Sequence, residues 1–199
     1  MNGQTGEDQI QQESPTPDST PPGSVPPAER ASGMHPWFRD LIVSVLIAAF
    51  IIVFLYQPVR VEGTSMLPVL EDQDRLFINK IAYRVGEIHP GDVVVFQYPR
   101  DHTKSYIKRV IALPGDRLRI DHGQVFVNDK ALAENYVPDI YRDMRSYAET
   151  TIPDDCYFVM GDHRSISSDS REFGVVERDL IYGKAVFVYW PAKDLGEVK

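Results

Sequence analysis

The feature that most constrains this chain is a run without a single charge, from Leu41 to Val59, 19 residues in all. As a helix it would be roughly 28 Å long at about 1.5 Å per residue, against roughly 30 Å of bilayer core. Arg60 and Glu62 mark the return to water. A buried core helix would show a polar face within that length. A cleaved signal peptide would have a short basic lead and a small-x-small site. Here the lead is long and acidic, and Gln57, Pro58 and Val59 supply no such site. The run reads as a retained anchor, with residues 36–40 as an interfacial lead-in and Trp37 at headgroup depth. Arg30 and Arg39 precede the span and Arg60 follows it, so basic residues do not orient it.

The anchor divides the chain. Residues 1–35 hold many Pro, Ser, Thr, Gln and Glu and almost no large apolar side chains, so they read as a disordered acidic tail. Residues 36–60 are the lead-in and anchor. Residues 61–199 leave 139 residues, enough for one domain with a core and not comfortably for two. The net charge of −8 argues against a broad nucleic-acid surface. Cys156 is the only cysteine, which rules out an intrachain disulfide and a multi-cysteine zinc site. It reads as a plainly buried residue in an apolar run.

Beyond the anchor the pattern is of short strands and turns. Residues 75–81, 93–98 and 105–113 read as strands. Residues 117–120 and 124–127 flank a hairpin turn at Asp121-His122-Gly123. Residues 131–151 are polar and Tyr-rich, and read as an irregular surface loop. Residues 156–160 and 184–189 read as the last strands. The expected fold is mostly β, with coiled antiparallel, barrel-like sheets after one N-terminal transmembrane helix.

Ser65 sits only a few residues past the expected membrane surface, in Gly63-Thr64-Ser65-Met66-Leu67-Pro68. Gly63 permits backbone geometry closed to other residues, and Pro68 stiffens the segment. Met66 and Leu67 fit either the core or contact with lipid. A serine nucleophile needs a base. The histidines at 35, 89, 102, 122 and 163 show no metal-ligand spacing. Asp162 and His163 are adjacent, a poor arrangement for the base and orienter of one triad. Lys108 is the better candidate. It shares a strand face with Tyr106, Val110 and Ala112, and desolvation there would favour its neutral form. The same lysine on an exposed face would instead snorkel or pair with a carboxylate. Arg109, on the other apolar face, shows that alternation alone does not select the lysine. Residues 161–171 are too polar for a core strand, and Asp169 and Arg171 suit a charge-assisted pair that fixes a loop.

Four blocks, taken in order, resemble the type I signal peptidases, or leader peptidases. They are Gly63-x-Ser65-Met66-x-Pro68, residues 91–96 (GDVVVF), residues 106–116 (YIKRVIALPGD), and Gly161-Asp162-x-Arg164-x-x-Ser167-x-Asp169-Ser170-Arg171-x-Phe173-Gly174. The resemblance covers about residues 36–190. It implies a membrane-anchored serine endopeptidase that removes signal peptides from exported preproteins after small-x-small sites, through an acyl-enzyme. By resemblance, Ser65 is the nucleophile and the donor of an oxyanion-binding backbone N–H. Lys108 is the general base and Ser167 hydrogen-bonds it. Asp169 and Arg171 form a supporting pair, with Asp162 and Arg164 in the same block. No cofactor or metal is implied. The implied partners are preproteins in the membrane and the bilayer itself, and no nucleic acid. The implied place is the bacterial plasma membrane, tail inside and catalytic domain outside.

Two positions depart from the family pattern. Gly63 stands where some members carry a serine that helps the oxyanion, and His163 stands where asparagine is usual. Two other readings fit parts of the sequence: a tethered β domain that only binds proteins, and a self-cleaving Ser-Lys protease of the repressor type. The anchor, and the lack of any evident helix-turn-helix, argue against the second.

Overall fold

The computed structural model describes residues 36–199; the expected acidic tail at 1–35 lies outside the described residues. Helix α1 runs Pro36–Leu55, and none of its residues is buried. It starts in the expected lead-in and stops short of the end of the uncharged run. Residues Tyr56–Arg60 form strand β1. Pro58 accounts for the stop, because proline disfavours helical geometry at the residue before it and cannot continue a helix. In β1 it lies on a sheet edge, where its missing N–H costs little. Helix α1 is long and apolar enough to cross a bilayer, and the chain is membrane-anchored.

The remaining strands are β2 (Arg75–Asn79), β3 (Val93–Tyr98), β4 (Asp101–Ala112), β5 (Arg117–Asp121), β6 (Gln124–Val127), β7 (Lys130–Ala131), β8 (Tyr147–Thr151), β9 (Cys156–Met160), β10 (Val176–Glu177), β11 (Ile181–Trp190) and β12 (Gly196–Glu197). One-turn helices α2 (Ala82–Val85) and α3 (Ser170–Phe173) interrupt them. The large sheet has the order β1-β2-β11-β3-β4-β9-β10, with β12 added to β11. The small sheet has the order β7-β6-β5-β8. Every pairing is antiparallel.

The fold is mostly β, but the expected barrel-like closure is wrong. A barrel needs its two outer strands to pair. Here β1 and β10 end the large sheet and do not meet, and the small sheet is equally open. Curvature comes instead from β4. Its first half pairs β3, its last residues pair β9, and the register with β9 shifts between Val110 and Ala112. The turn at Pro114-Gly115-Asp116 then passes the chain to the small sheet. The expected loop at 131–151 also contains strand β8.

The core divides along the faces of the large sheet. Val94, Phe96, Val110 and Val159 pack on one face with Tyr83 and Phe173. Val93, Val95, Leu76, Ile78, Met66 and Leu70 pack on the other. This explains the unbroken apolar run 93–96, because a strand buried on both faces does not alternate. A third cluster, including Leu118, Ile120, Val125, Ile152 and Phe158, joins the small sheet to β9. Cys156 is half-buried at its margin rather than fully buried. Each fully buried large side chain contributes roughly 1.5–3 kcal/mol.

Candidate active site

The loop from Val61 to Asp74 places Ser65. Its neck is closed by Val61 N–H donating to Asp74 O at 2.8 Å and Gln73 N–H donating to Val61 O at 3.0 Å. Met66 and Leu70 anchor it from below, at 1% and 0% exposure. Met66 is thus a core residue, and Leu67 is half-buried. Gly63 has φ +98°, a backbone region that favours glycine, and its N–H donates to Asp72 Oδ1 at 2.8 Å. Ser65 stands half-exposed at the top of this loop.

Lys108 reaches Ser65 from β4. Its Nζ lies 2.6 Å from Ser65 Oγ and 3.0 Å from Ile107 O. The lysine is only 4% exposed and has no carboxylate within ion-pair distance. Burial lowers its pKa from 10.5 to about 8, against the opposing pull of the Asp169 and Asp162 charges.

The segment 161–174 closes the back of the site. His163 N–H donates to Ser65 O at 3.1 Å, and its ring Nδ1 lies 3.2 Å from Thr64 O. So this departure from the family pattern borders the serine's own backbone, and its ring also packs on Tyr141 with centroids 4.3 Å apart. Gly161 admits no side chain: a Cβ there would lie 2.3 Å from Ser167 Oγ and 2.5 Å from Ser65 O. Ser167 is buried beside this glycine, with its hydroxyl near the Asp169 carboxylate. The hydrogen bond from Lys108 to Ser167 implied by the resemblance is not formed in this structure, where Lys108 bonds Ser65 and Ile107.

Three buried arginine–carboxylate pairs hold this segment. Arg171 Nε and Nη2 donate to the two oxygens of Asp169 at 2.8 and 2.7 Å. Asp169 also accepts from Gly161 N–H at 3.0 Å. Burial pushes the Asp169 carboxyl up, but Arg171's hydrogen bonds and charge outweigh it and hold the group below its ordinary value. Asp162 and Arg164 do not pair with each other. Asp162 binds Arg109 in a bidentate fork at 2.8 and 2.6 Å, and Arg164 Nη2 binds Glu134 Oε1 at 2.6 Å. Arg171 Nη1 and Arg145 Nε converge on Asp143 Oδ2 at 2.8 and 2.5 Å.

Arg109, Glu134, Asp143 and Arg145 were not candidates on sequence grounds. Only Arg109 carried a signal, a charge on the second apolar face of its strand. The other three sit in the polar stretch expected to be surface loop. Among the described residues, no three His, Cys, Asp or Glu side chains gather as metal ligands.

A groove of about 680 Å³ runs past Ser65 and Lys108. One wall is the 59–65 segment and the other is 104–108 of β4, with Ile166 and Ser168 at the end. Both walls carry free backbone edges. β1 pairs only β2, and β4 pairs β9 only from Arg109 onward.

These features define a membrane-anchored serine hydrolase. The profile of the family described as "Signal peptidase, peptidase S26" matches residues 34–190. A probable signal peptidase I-2 of Synechocystis sp. is 38% identical over 166 residues, covering 79% of this chain and 74% of that one. A signal peptidase I of Leptolyngbya laminosa is 35% identical over 193 residues, 92% of each chain. A signal peptidase I of Bacillus licheniformis is 32% identical over 175 residues, 83% of this chain and 94% of its own. The chain belongs to the signal peptidase family, peptidase S26, and is an enzyme of that kind.

Proposed function

We propose that this enzyme removes signal peptides from exported preproteins after small-x-small sites, with Ser65 as nucleophile and Lys108 as general base. The observation that carries the assignment is the 2.6 Å contact between Lys108 Nζ and Ser65 Oγ at a buried lysine that forms no ion pair among the described residues. A neutral amine there takes the Ser65 proton as Oγ attacks the scissile carbonyl. The Ser65 N–H, at the apex of the loop, is the backbone donor for the resulting oxyanion. The lysinium returns its proton to the leaving amine, which departs with the mature protein. Water, deprotonated by the same lysine, then cleaves the ester.

The substrate lies extended between the two free strand edges of the groove, where main-chain hydrogen bonds bind it independently of most side chains. Ser167 is the orienting hydroxyl for Lys108 that the family pattern supplies. Asp169, Arg171, Asp162 and Arg164 support this loop. Residues 61–199 form the catalytic domain. It stands on the outer side of the bacterial plasma membrane, with the N-terminus inside. The anchor keeps the groove in the layer that holds the signal peptide, which raises its effective concentration.

The test is cleavage of a preprotein with an Ala-x-Ala site by the full chain, Ser65→Ala and Lys108→Ala. Loss in both variants, with melting retained, supports the dyad. Substantial activity of Lys108→Ala would refute it.

A further inference from the structure

Helix α1 ends at Leu55, and the next residue, Tyr56, pairs with Asn79 at the end of β2. Lys80 N–H donates to Leu55 O at 3.2 Å. Asn79 Oδ1 accepts from the N–H groups of Ile81 and Ala82 at 2.9 and 3.0 Å, turning the chain into α2. Backbone pairing therefore fixes Lys80 and Arg84 at the end of the anchor, where hydrocarbon gives way to headgroups.

A pocket of about 320 Å³ opens at this level. Three cations line it, Lys80, Arg84 and Arg178, against one carboxylate, Asp179. Gln57, two residues past α1, forms part of its wall. The Arg178 guanidinium is oriented by donating to Tyr83 O and by the Tyr83 ring 5.8 Å away. The side chains of Lys80 and Arg84 make no hydrogen bond or ion pair among the described residues. Arg109, Arg164 and Arg171 behind the active site, by contrast, are tied to carboxylates. Val85, beside Arg84, is 84% exposed.

We propose that this pocket binds the phosphate of an anionic phospholipid headgroup in the membrane that holds α1. The volume equals on the order of ten waters, room for a phosphodiester and its hydration. Residues 61–199 carry 18 Lys and Arg against 23 Asp and Glu and would be repelled by an anionic surface, and the pocket supplies a local exception where the lipid lies. Free phosphate shares the chemistry. The lipid is preferred because the pocket adjoins the end of the span, and the exposed Val85 next to Arg84 suits the acyl border. Tyr182 lines both this pocket and the catalytic groove, so a seated headgroup would fix the groove's height above the bilayer.

The test uses the full chain in nanodiscs of phosphatidylcholine with a minor fraction of phosphatidylglycerol. Native mass spectrometry counts the lipids retained on release. The wild type should keep phosphatidylglycerol over phosphatidylcholine by about thirtyfold, from roughly 1 kcal/mol for each of Lys80 and Arg84 near the surface. Lys80→Gln/Arg84→Gln should reduce this to near parity while still cleaving a soluble peptide. Lys130→Gln/Arg142→Gln, with the same charge change at residues that do not line the pocket, should keep the preference. An unchanged preference in the first variant, or equal loss in the second, overturns the site. Inorganic phosphate bound as well in phosphatidylcholine-only nanodiscs as phosphatidylglycerol is in the mixed ones overturns the lipid assignment.

Discussion

Lys108 and Arg109 are neighbours on one strand, buried to 4% and 2% exposure on its opposite faces. Their fates differ because the side chains differ in kind, a guanidinium and an amine, and because their partners differ. Arg109 meets Asp162 in a bidentate fork and stays charged. Lys108 meets only a hydroxyl and a carbonyl, and its amine moves toward neutrality. Burial alone therefore does not produce a base. It takes an amine that desolvation can neutralise, with no carboxylate paired to it, and Arg109 meets neither condition.

The largest expected effect breaks the lysine side. Lys108→Ala should lower kcat for preprotein cleavage by about a thousandfold or more with the fold intact, because the dyad works as a unit. Next comes the arginine side. Arg109→Met leaves Asp162 buried without a partner, and should cost about 3–5 kcal/mol in urea unfolding. Arg109→Met/Asp162→Leu should recover most of that loss, since apolar replacement of a whole buried pair is often neutral.

A smaller effect sharpens the contrast. The folded-state pKa of Lys108 lies below its unfolded value, so the lysine destabilises the fold while charged. The cost is full below about 8 and fades as pH rises toward 10.5, because there the unfolded chain binds the extra proton. Lys108→Met should therefore stabilise the protein by about 1–3 kcal/mol at neutral pH, and by little near pH 10.5. No such gain should follow Arg109→Met. The smallest effect falls on His163, whose ring touches the loop only through Thr64 O. His163→Ala should retain cleavage within about fivefold, the scale of one weak hydrogen bond, in steady-state kinetics.

Much of this contrast was legible in the sequence, and some was not. The anchor showed as uncharged length, and β4 as apolar residues around a basic pair. Four separated blocks brought Ser65 and Lys108 together by resemblance. The proline that ends α1 was equally readable, yet the uncharged run hid strand β1 because no charged residue before Arg60 marks where helix gives way to strand. The sheets look barrel-like in sequence because many short strands suit either an open or a closed arrangement. Only the order of pairing reveals that β1 and β10 stay apart. The partners of the buried arginines were hidden by distance along the chain. Arg109 and Asp162 are 53 residues apart, and Glu134 and Arg164 are 30 apart, so no local pattern couples them. Glu134 looked like surface because an acidic residue in a polar stretch normally is.

The most direct measurement is the titration of the Lys108 side-chain nitrogen by heteronuclear NMR, in the full chain in detergent micelles. The account predicts a midpoint near 8. A midpoint at the ordinary lysine value of about 10.4 would contradict it.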